Sequence, residues 1–450
     1  MTEEVQRMAA LYPVSGTVKN YAWGKTGNSS RVAQYAALNG DLKSVDEGES
    51  YAEYWFGTHP NGPSTLRLPR GESVPMRDWL GSELPYLAKI LSIRKTLSIQ
   101  VHPNKVQATE LHAKRPDIYK DPNHKPELAF ALTDFEAMCG FRSAQEIAQF
   151  AATVPEFQAV LGQAGMEAAE QLKHAQNGST DAEEALRKLF TAYCHCEEDV
   201  ARRAAEDLAK RLGGNSGAVG EDGSAKGPSE DPSGFTRADS IAARLTKEYP
   251  GDIGVFAPFM LNCVQLSPGE AIFLSANLPH AYISGDCVEV MACSDNVVRM
   301  GCTPKLKDVP VLLSIIEYKP GLPNVMKGKP LTEGLTKTLA FVPSDASVNE
   351  FVLERTVLKA GEEITLEPAD SAAIILIIHG TALVPVDGGD GQGTHSAPCS
   401  EKELTQGSAS VQPPRSALRL RCGPSESESE SESTASDSCS CTIVRVRTRH

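Results

Sequence analysis

The pattern of hydrophobic and polar positions changes twice along the chain and divides it into three parts. Up to about residue 142, short apolar runs alternate with turns, and Tyr86–Ile93 and Thr96–Val101 have the composition of strands. From Ser143 onward, apolar residues recur every three or four positions, which predicts helices. Strand-like runs return at Asn262 and continue towards the C-terminus. The pattern therefore predicts a mainly β protein with an α-helical insertion.

Capping residues mark the helix starts within the insertion. Ser143 precedes Glu146 by three positions, which predicts a capping box, and Thr180 and Glu183 repeat this pattern. A third helix is predicted over residues 197–212, where a pair of glycines follows.

Two similar turns indicate that a β-barrel unit is duplicated. Leu266–Glu270 and Leu358–Glu362 each end in Gly-Glu and lead into strands. The predicted domains are residues 1–142 with 256–325 (the catalytic barrel), 143–255 (the helical insertion) and 326–450 (the C-terminal barrel). Residues 213–234 are predicted to form a disordered loop, and 386–403 and 423–440 to be low-complexity insertions, because their polar residues have no apolar face to bury.

The composition excludes several classes of protein. A length of 450 residues with 41% hydrophobic content suits two or three domains with sizeable cores. The net charge of -14 disfavours nucleic-acid partners, and no apolar run is long enough to predict a membrane span. The N-terminus lacks the pattern of a signal peptide, and the 11 scattered cysteines do not have zinc-finger spacing. We therefore expect a cytoplasmic protein with reduced cysteines.

Candidate metal ligands lie on two short segments. Because side chains alternate across a strand, Gln100 and His102 share one face with Ser98, while the apolar residues between them form the other. Lys125 and Glu127 share a face by the same alternation. An amide oxygen, an imidazole and a carboxylate without a thiolate are more typical of a catalytic zinc site than of a structural one.

Each of these signals has a plain alternative when taken alone. A His-x-Gln pair on a strand is usually a hydrogen-bonded surface pair, and His280, after Pro279, would more often be a satisfied barrel histidine. Their combination favours one metal site formed by Gln100, His102, Glu127 and His280. This set carries one negative charge, so bound Zn²⁺ would keep a net positive charge and an open position for Lewis-acid chemistry.

Cationic residues accompany the predicted ligands. Lys89 lies in an apolar run, where it either extends its ammonium group to solvent or forms part of a pocket for an anion. Lys125, Arg299 and Lys305 would complete such a pocket, and a phosphate ester is the expected anion. Asp295 and Arg299 could instead form a solvated pair on a loop.

Several stretches of the chain resemble type I phosphomannose isomerases (mannose-6-phosphate isomerases). The matching stretches run in family order and cover most of residues 17–315. They are Tyr21 to Gly24, Ala52 to Gly62, Ser98 to Lys105, Tyr119 to Phe130, Tyr249 to Val255 and Pro268 to Pro304.

This resemblance implies a fold, a cofactor and a reaction. The family fold is a pair of cupin-type (jelly-roll) β-barrels with a helical insertion in the first. The family's zinc ligands correspond to the four predicted above, with one zinc per chain, and its active-site arginine corresponds to Arg299. The implied reaction interconverts D-mannose 6-phosphate and D-fructose 6-phosphate through an enediol and supplies mannose 6-phosphate for GDP-mannose and glycosylation.

Further residues are assigned candidate roles. The candidates for proton transfer are His124, Lys125, Asp295 and Glu289, and the candidates for substrate binding are Lys89, Ser98, Tyr282 and Lys305. A small phosphorylated sugar is the expected partner, and a monomer without nucleic-acid or membrane contacts is the expected state.

The chain departs from the family pattern in the long loop of its insertion and in its interrupted C-terminal barrel, where His379 has no companion ligands. Two alternatives remain at this point. A metal-dependent oxygenase would use His102, Glu127 and His280 as a facial triad for Fe(II), and a bicupin protein could bind sugar without catalysis.

Overall fold

The computed structural model describes residues 11–68, 71–213, 236–332, 335–385, 401–423 and 440–449. Most of the predicted disordered loop and of the two predicted low-complexity insertions lies outside these ranges. The exceptions lie at their edges: Gly213 ends a helix, residues 401–403 and 440 belong to strands, and Gly423 directly follows a strand. The predicted insertion 386–403 therefore extends too far at its C-terminal end, where strand pairing continues the barrel.

The strands of the described residues are numbered in chain order. The first group is β1 Tyr12–Ser15, β2 Thr17–Lys19, β3 Lys25–Thr26, β4 Ser50–Tyr51, β5 Glu53–Phe56, β6 Thr65–Arg67, β7 Ser73–Pro75, β8 Tyr86–Ile93 and β9 Ile99–Val101. The second group is β10 Glu127–Ala131, β11 Phe135–Phe141, β12 Leu261–Leu266, β13 Ala271–Leu274, β14 His280–Ala292, β15 Val298–Gly301 and β16 Val325–Met326. The third group is β17 Lys329–Thr332, β18 Leu335–Phe341, β19 Val352–Lys359, β20 Glu363–Leu366, β21 Ala373–His379, β22 Ala382–Pro385, β23 Glu401–Leu404, β24 Ala409–Gln412, β25 Leu418–Cys422 and β26 Ser440–Arg447.

The α-helices are numbered in the same way. They are α1 Arg31–Leu38, α2 Met76–Leu80, α3 Lys105–Lys114, α4 Ala144–Thr153, α5 Pro155–His174, α6 Thr180–Cys194, α7 Glu198–Gly213, α8 Arg237–Glu248 and α9 Val309–Ile315. Short 3₁₀ helices cover Gly27–Ser29 and Ile253–Phe259. None of the described helices is long and apolar enough to cross a membrane.

The chain divides into two compact units. The first contains residues 1–92, 288–293 and 326–450, and the second contains residues 93–287 and 294–325. These units do not follow the three-domain division predicted from sequence, which stays a prediction.

The first unit is built from antiparallel sheets. Its nine-stranded sheet has the order β17-β18-β19-β26-β21-β24-β1-β6-β7, and a four-stranded sheet has the order β20-β25-β22-β23. A core contains apolar side chains from both sheets, including Leu358, Ile375 and Ile443 from the larger and Leu418 and Leu420 from the smaller. This two-layer antiparallel arrangement is the jelly-roll packing expected of a cupin-type barrel.

The second unit combines β-strands with the helical insertion. Strand β10 pairs with β13, β11 with β12 and β14, and β9 with β14 and β15, all antiparallel. Ile99 and Val101 of β9 are fully buried in one core with apolar side chains of α4 to α8, such as Ile147, Leu189 and Leu245. The insertion and the apolar face of the strand that carries Gln100 therefore contribute to the same core. The prediction of a mainly β fold with a helical insertion is confirmed.

Local structure corrects two details of the sequence analysis. The Ser143–Glu146 capping box is present, but α6 is capped by Ser179, whose Oγ accepts from Ala182 N. The predicted box at Thr180 and Glu183 is therefore wrong by one residue, because the serine before it is also a good cap. Strand β9 is shorter than the predicted Thr96–Val101 and begins at Ile99.

Candidate metal centre

The short strand β9 lies between two other strands that bring polar residues to the face that carries Gln100. Gln100 is the direct cross-strand partner of His280 on β14 and of Arg299 on β15. Directly opposite residues of antiparallel strands project to the same face, about 5 Å apart. Hence His280, Gln100 and Arg299 form a row across three strands, although the first and last are far from Gln100 in sequence.

His102, Glu127 and His280 form a buried cluster whose donor atoms all lie within 4.8 Å of one another. His102 Nε2 is 3.3 Å from Glu127 Oε1, and His280 Nε2 is 3.5 Å from Glu127 Oε2. All three residues are at most 2% exposed. Three of the four predicted ligands thus meet at one point: Glu127 at the start of β10, His280 at the start of β14 and His102 directly after β9.

The ring orientation of both histidines suits metal binding. Nδ1 of His102 donates to the Asn296 carbonyl at 2.7 Å, and Nδ1 of His280 donates to the Leu278 carbonyl at 2.8 Å. Since a carbonyl can only accept, each ring proton belongs on Nδ1, and each Nε2 keeps its lone pair. Both Nε2 atoms are buried and make no hydrogen bond with any described residue. Two orphaned imidazole nitrogens beside a carboxylate are the donor set that a divalent metal satisfies.

The charge state of the cluster also favours a cation. Burial raises the pKa of the Glu127 carboxyl, but Lys125 and His102 together outweigh this and hold that pKa well below its usual range. Burial lowers the pKa of His102 to about 4, although Glu127 opposes the change. At neutral pH, Glu127 therefore offers a carboxylate and His102 a neutral imidazole, the protonation states that metal binding requires.

Neighbouring side chains hold the ligands in place. Lys125 Nζ is 3.1 Å from Glu127 Oε1, and the Tyr282 hydroxyl donates to Glu127 Oε2 at 3.5 Å. Ser98 Oγ donates to Gln100 Oε1 at 3.2 Å. Lys125, Tyr282 and Ser98 thus contact ligand side chains directly, as well as being candidates for catalysis or substrate binding.

Arg299 differs from the other cations of the site. Its guanidinium group makes no hydrogen bond or ion pair with any other residue that the structure describes, and burial lowers its pKa. The expected alternative of an Asp295–Arg299 ion pair is therefore wrong, because Asp295 is exposed and its amide donates to Asp121 Oδ2. An unpaired, half-buried guanidinium next to Gln100 is well placed to meet a ligand's negative charge.

The remaining candidate residues fall into three places. Lys89 and Glu289 lie together in the first unit, where Lys89 is 6% exposed and its Nζ is 2.8 Å from Glu289 Oε2. The alternative that Lys89 extends to solvent is therefore wrong. His124 is buried next to Lys125 in sequence. Lys305 is exposed and lines a cavity of about 740 Å³ whose wall contains Met300 but none of the four predicted ligands.

Two functional contacts were not anticipated from sequence. The Asn296 carbonyl orients His102, and no pattern of side-chain types predicts where a backbone carbonyl will point. Glu53 Oε2 lies 3.6 Å from Lys89 Nζ. The sequence pointed to Glu53 only through its place in the family-like stretch Ala52 to Gly62.

The fold and the donor set together define a metalloprotein of cupin-type architecture with a helical insertion. The family model of the phosphomannose isomerase type I catalytic domain matches residues 11–144, and that of the type I helical insertion domain matches residues 163–261. The chain belongs to the type I phosphomannose isomerase family.

Relatives and solved structures extend this match over most of the chain. Mannose-6-phosphate isomerase of Mus musculus is 40% identical over 399 residues, which are 83% of this chain and 89% of the relative. The Homo sapiens enzyme is 38% identical over 390 residues, covering 83% and 88%. A zinc-bound mannose 6-phosphate isomerase structure has a TM-score of 0.71 at 29% identity and covers 98% of this chain and all of its own. A variant of phosphomannose isomerase from Salmonella typhimurium has a TM-score of 0.72 at 28% identity, with the same coverage.

Proposed function

We propose that this protein catalyses the reversible isomerisation of D-mannose 6-phosphate and D-fructose 6-phosphate. The observation that carries the proposal is the buried His102–Glu127–His280 cluster, with its two orphaned Nε2 atoms, in a chain of this family. The reaction opens the sugar ring and moves a proton between C1 and C2 through an enediol. It would supply mannose 6-phosphate for GDP-mannose formation and glycosylation in the cytoplasm.

One zinc ion would be held by Gln100, His102, Glu127 and His280. When bound, zinc supplies a Lewis acid that polarises a substrate oxygen. Gln100 lies between His280 and Arg299 in the strand register, and the Ser98 hydroxyl fixes its amide oxygen. This placement supports Gln100 as the neutral fourth ligand.

Arg299 would stabilise the negative charge that develops on the substrate during enolisation. Its guanidinium group has no partner among the described residues, so its charge is available to the substrate. A fixed cation in a partly buried site acts without solvent reorganisation at the moment of reaction, which is the most effective form of such stabilisation.

Proton transfer requires an acid–base group within reach of C1 and C2, and four candidates stay proposals. His124 and Lys125 are separated from Glu127 by Pro126, and Lys125 is held at the Glu127 carboxylate. Asp295 lies on the exposed loop before Arg299, while Glu289 is paired with Lys89. A panel of single substitutions, scored by exchange of the C2 proton with solvent, would separate them.

Substrate binding is assigned to Lys89, Ser98, Tyr282 and Lys305, of which Lys305 is the exposed cation. Ser98 and Tyr282 already contact Gln100 and Glu127, so their loss would disturb the ligands as well as the substrate. Lys305 would therefore give the cleanest test of phosphate binding, because its removal leaves those contacts intact.

The decisive experiment measures fructose 6-phosphate formation from mannose 6-phosphate under anaerobic conditions. Activity that disappears on treatment with a chelator and returns with one equivalent of zinc per chain is the expected result. Oxygen consumption during turnover would instead favour the oxygenase alternative, and sugar binding without turnover would favour the non-catalytic one.

A further inference from the structure

Asn296 lies in the connection between β14 and β15 and is only 1% exposed. Its Nδ2 donates to the carbonyls of Asp121 at 2.6 Å and Asn123 at 3.0 Å, and it is 3.3 Å from Asp121 Oδ1. All three neighbours are oxygen acceptors, so the amide nitrogen rather than the amide oxygen must face them. The Asn296 Oδ1 is buried without a hydrogen-bond partner among the described residues.

The neighbours of Asn296 make parallel contacts between the same two loops. Asp295 N donates to Asp121 Oδ2 at 2.8 Å, and Ser294 Oγ donates to the Asn123 carbonyl at 3.1 Å. We call these five residues, Asp121, Asn123, Ser294, Asp295 and Asn296, the Asn296 latch. One of its loops leads into Lys125 and Glu127, and the other leads into Arg299.

The latch also reaches a predicted metal ligand through its backbone. The Asn296 carbonyl accepts from His102 Nδ1 at 2.7 Å, which directs His102 Nε2 towards Glu127. The side chain and the carbonyl of one residue therefore act on different parts of the centre. The side chain fixes the loop before Glu127, and the carbonyl fixes the ring of His102.

We infer that Asn296 is a positioning residue that sets the geometry of the metal centre by holding two loops and one histidine ring together. This inference rests on the proposed metal site and extends it to a residue outside the ligand set. Hydrogen-bond partners of metal-bound histidines commonly change metal affinity or activity by about 10–100-fold when they are lost. A loop that is free to turn would aim the Asn296 carbonyl away from His102, so an effect of this size is expected here.

The test compares Asn296→Ala and Asn296→Asp with a matched control, Asn262→Ala. Asn262 is also a buried asparagine of the second unit, and its Nδ2 donates to four carbonyls, those of Cys139, Gly140, Phe141 and Gly321. None of these four is a predicted ligand or a member of the latch. Asn296→Asp keeps the shape of the side chain but places an oxygen against three oxygens.

Two measurements apply to each variant. Zinc affinity is measured by competition between the apoprotein and a chromogenic chelator, which requires no substrate. The turnover number and the Michaelis constant for mannose 6-phosphate are measured on the zinc-loaded protein at a temperature well below melting.

Both Asn296 variants should bind zinc about 10–100-fold more weakly and lose turnover by a similar factor, with the Michaelis constant within about twofold of the parent. Asn262→Ala should melt earlier but keep zinc affinity and turnover. Equal behaviour of Asn296→Ala and Asn262→Ala in both measurements would make Asn296 merely structural and overturn the inference. If the proposed isomerase activity is absent from the parent, the zinc competition still decides the role of Asn296.

A milder variant covers the case in which loss of Asn296 prevents folding. Ser294→Ala removes the hydrogen bond from Ser294 Oγ to the Asn123 carbonyl and the acceptor of the Asn296 backbone N–H, but leaves the Asn296 side chain in place. It should weaken zinc binding by a few fold. Zinc affinity equal to that of the parent in this variant would then refute the inference.

Discussion

Replacing Lys89 with methionine is expected to destabilise the protein through charge rather than through packing. Lys89 lies on β8, and its ammonium group is 2.8 Å from Glu289 and 3.6 Å from Glu53. Methionine is nearly as long and fills the same space, so it creates little cavity. The change leaves two buried carboxylates without their shared cation.

The size of the effect follows from the burial of the pair. The side chains of Lys89 and Glu289 are 8% and 5% exposed, so solvent screens them little. Removing one partner of a buried ion pair costs about 3–5 kcal/mol. At roughly 2–4 °C per kcal/mol for a unit of this size, the melting temperature should fall by about 6–20 °C. Glu53 also accepts the indole N–H of Trp55, which remains in the variant.

The assay compares thermal unfolding of the zinc-loaded parent, Lys89→Met and the double variant Lys89→Met/Glu289→Gln. Glutamine at position 289 removes one of the two carboxylate charges beside Lys89 with almost no change of shape, so the double variant should recover part of the lost stability. A single variant that melts within about 2 °C of the parent, or a double variant no more stable than the single one, would refute this argument.

Four further outcomes are expected. His280→Ala should lose bound zinc and activity yet remain folded, and one zinc per chain with normal turnover would end the four-ligand assignment. Arg299→Lys should lower the turnover number by about a hundredfold, the scale of one oxyanion donor, while an effect confined to the Michaelis constant would make Arg299 a substrate clamp. In the apoprotein, burial lowers the pKa of His102 from its usual 6.5 to about 4, so the unfolded chain binds the proton first as the pH falls. The free energy of unfolding should therefore drop by roughly 3 kcal/mol between pH 6.5 and pH 4, and by less in His102→Asn. Replacing residues 424–439 by a short Gly-Ser turn should leave melting and activity nearly unchanged. Deletion from residue 424 onward also removes β26, which pairs with both β19 and β21, and should abolish soluble expression. Equal behaviour of the two variants would show that this pairing is dispensable.

Local rules predicted those parts of the fold that depend on neighbouring residues. The two Gly-Glu turns are present, with Gly269 and Gly361 at φ of +92° and +72°. Leu266–Glu270 links β12 to β13, and Leu358–Glu362 links β19 to β20, and in both cases the strands pair with different neighbours. Only glycine adopts this backbone conformation at low cost, which is why such turns can be recognised from sequence. The division into compact units depends instead on long-range packing and was not predicted.

The predicted ligands illustrate the same limit. Strand alternation placed Gln100 and His102 on one face, and the burial of Ile99 and Val101 on the other agrees with it. The zinc prediction agrees with the His-Glu-His cluster and with the zinc-bound solved relative. The contacts of the Asn296 latch, in contrast, join loops that are about 170 residues apart and use backbone carbonyls. No residue type encodes the direction of a carbonyl, so these contacts required the structure.

Strand register connects the helical insertion to the metal centre. A slip of one residue in β9 would turn Gln100 into the core and Ile99 or Val101 towards the ligands, because side chains alternate with a period of two. Ile99 and Val101 are held by a core to which helices α4 to α8 contribute, so burial of those two residues also fixes the face on which Gln100 lies. The row from His280 through Gln100 to Arg299 then follows from the pairing of β9 with β14 and β15. The insertion thus stabilises the donor geometry from the opposite side of the ligand strand, without itself supplying any of the proposed ligands.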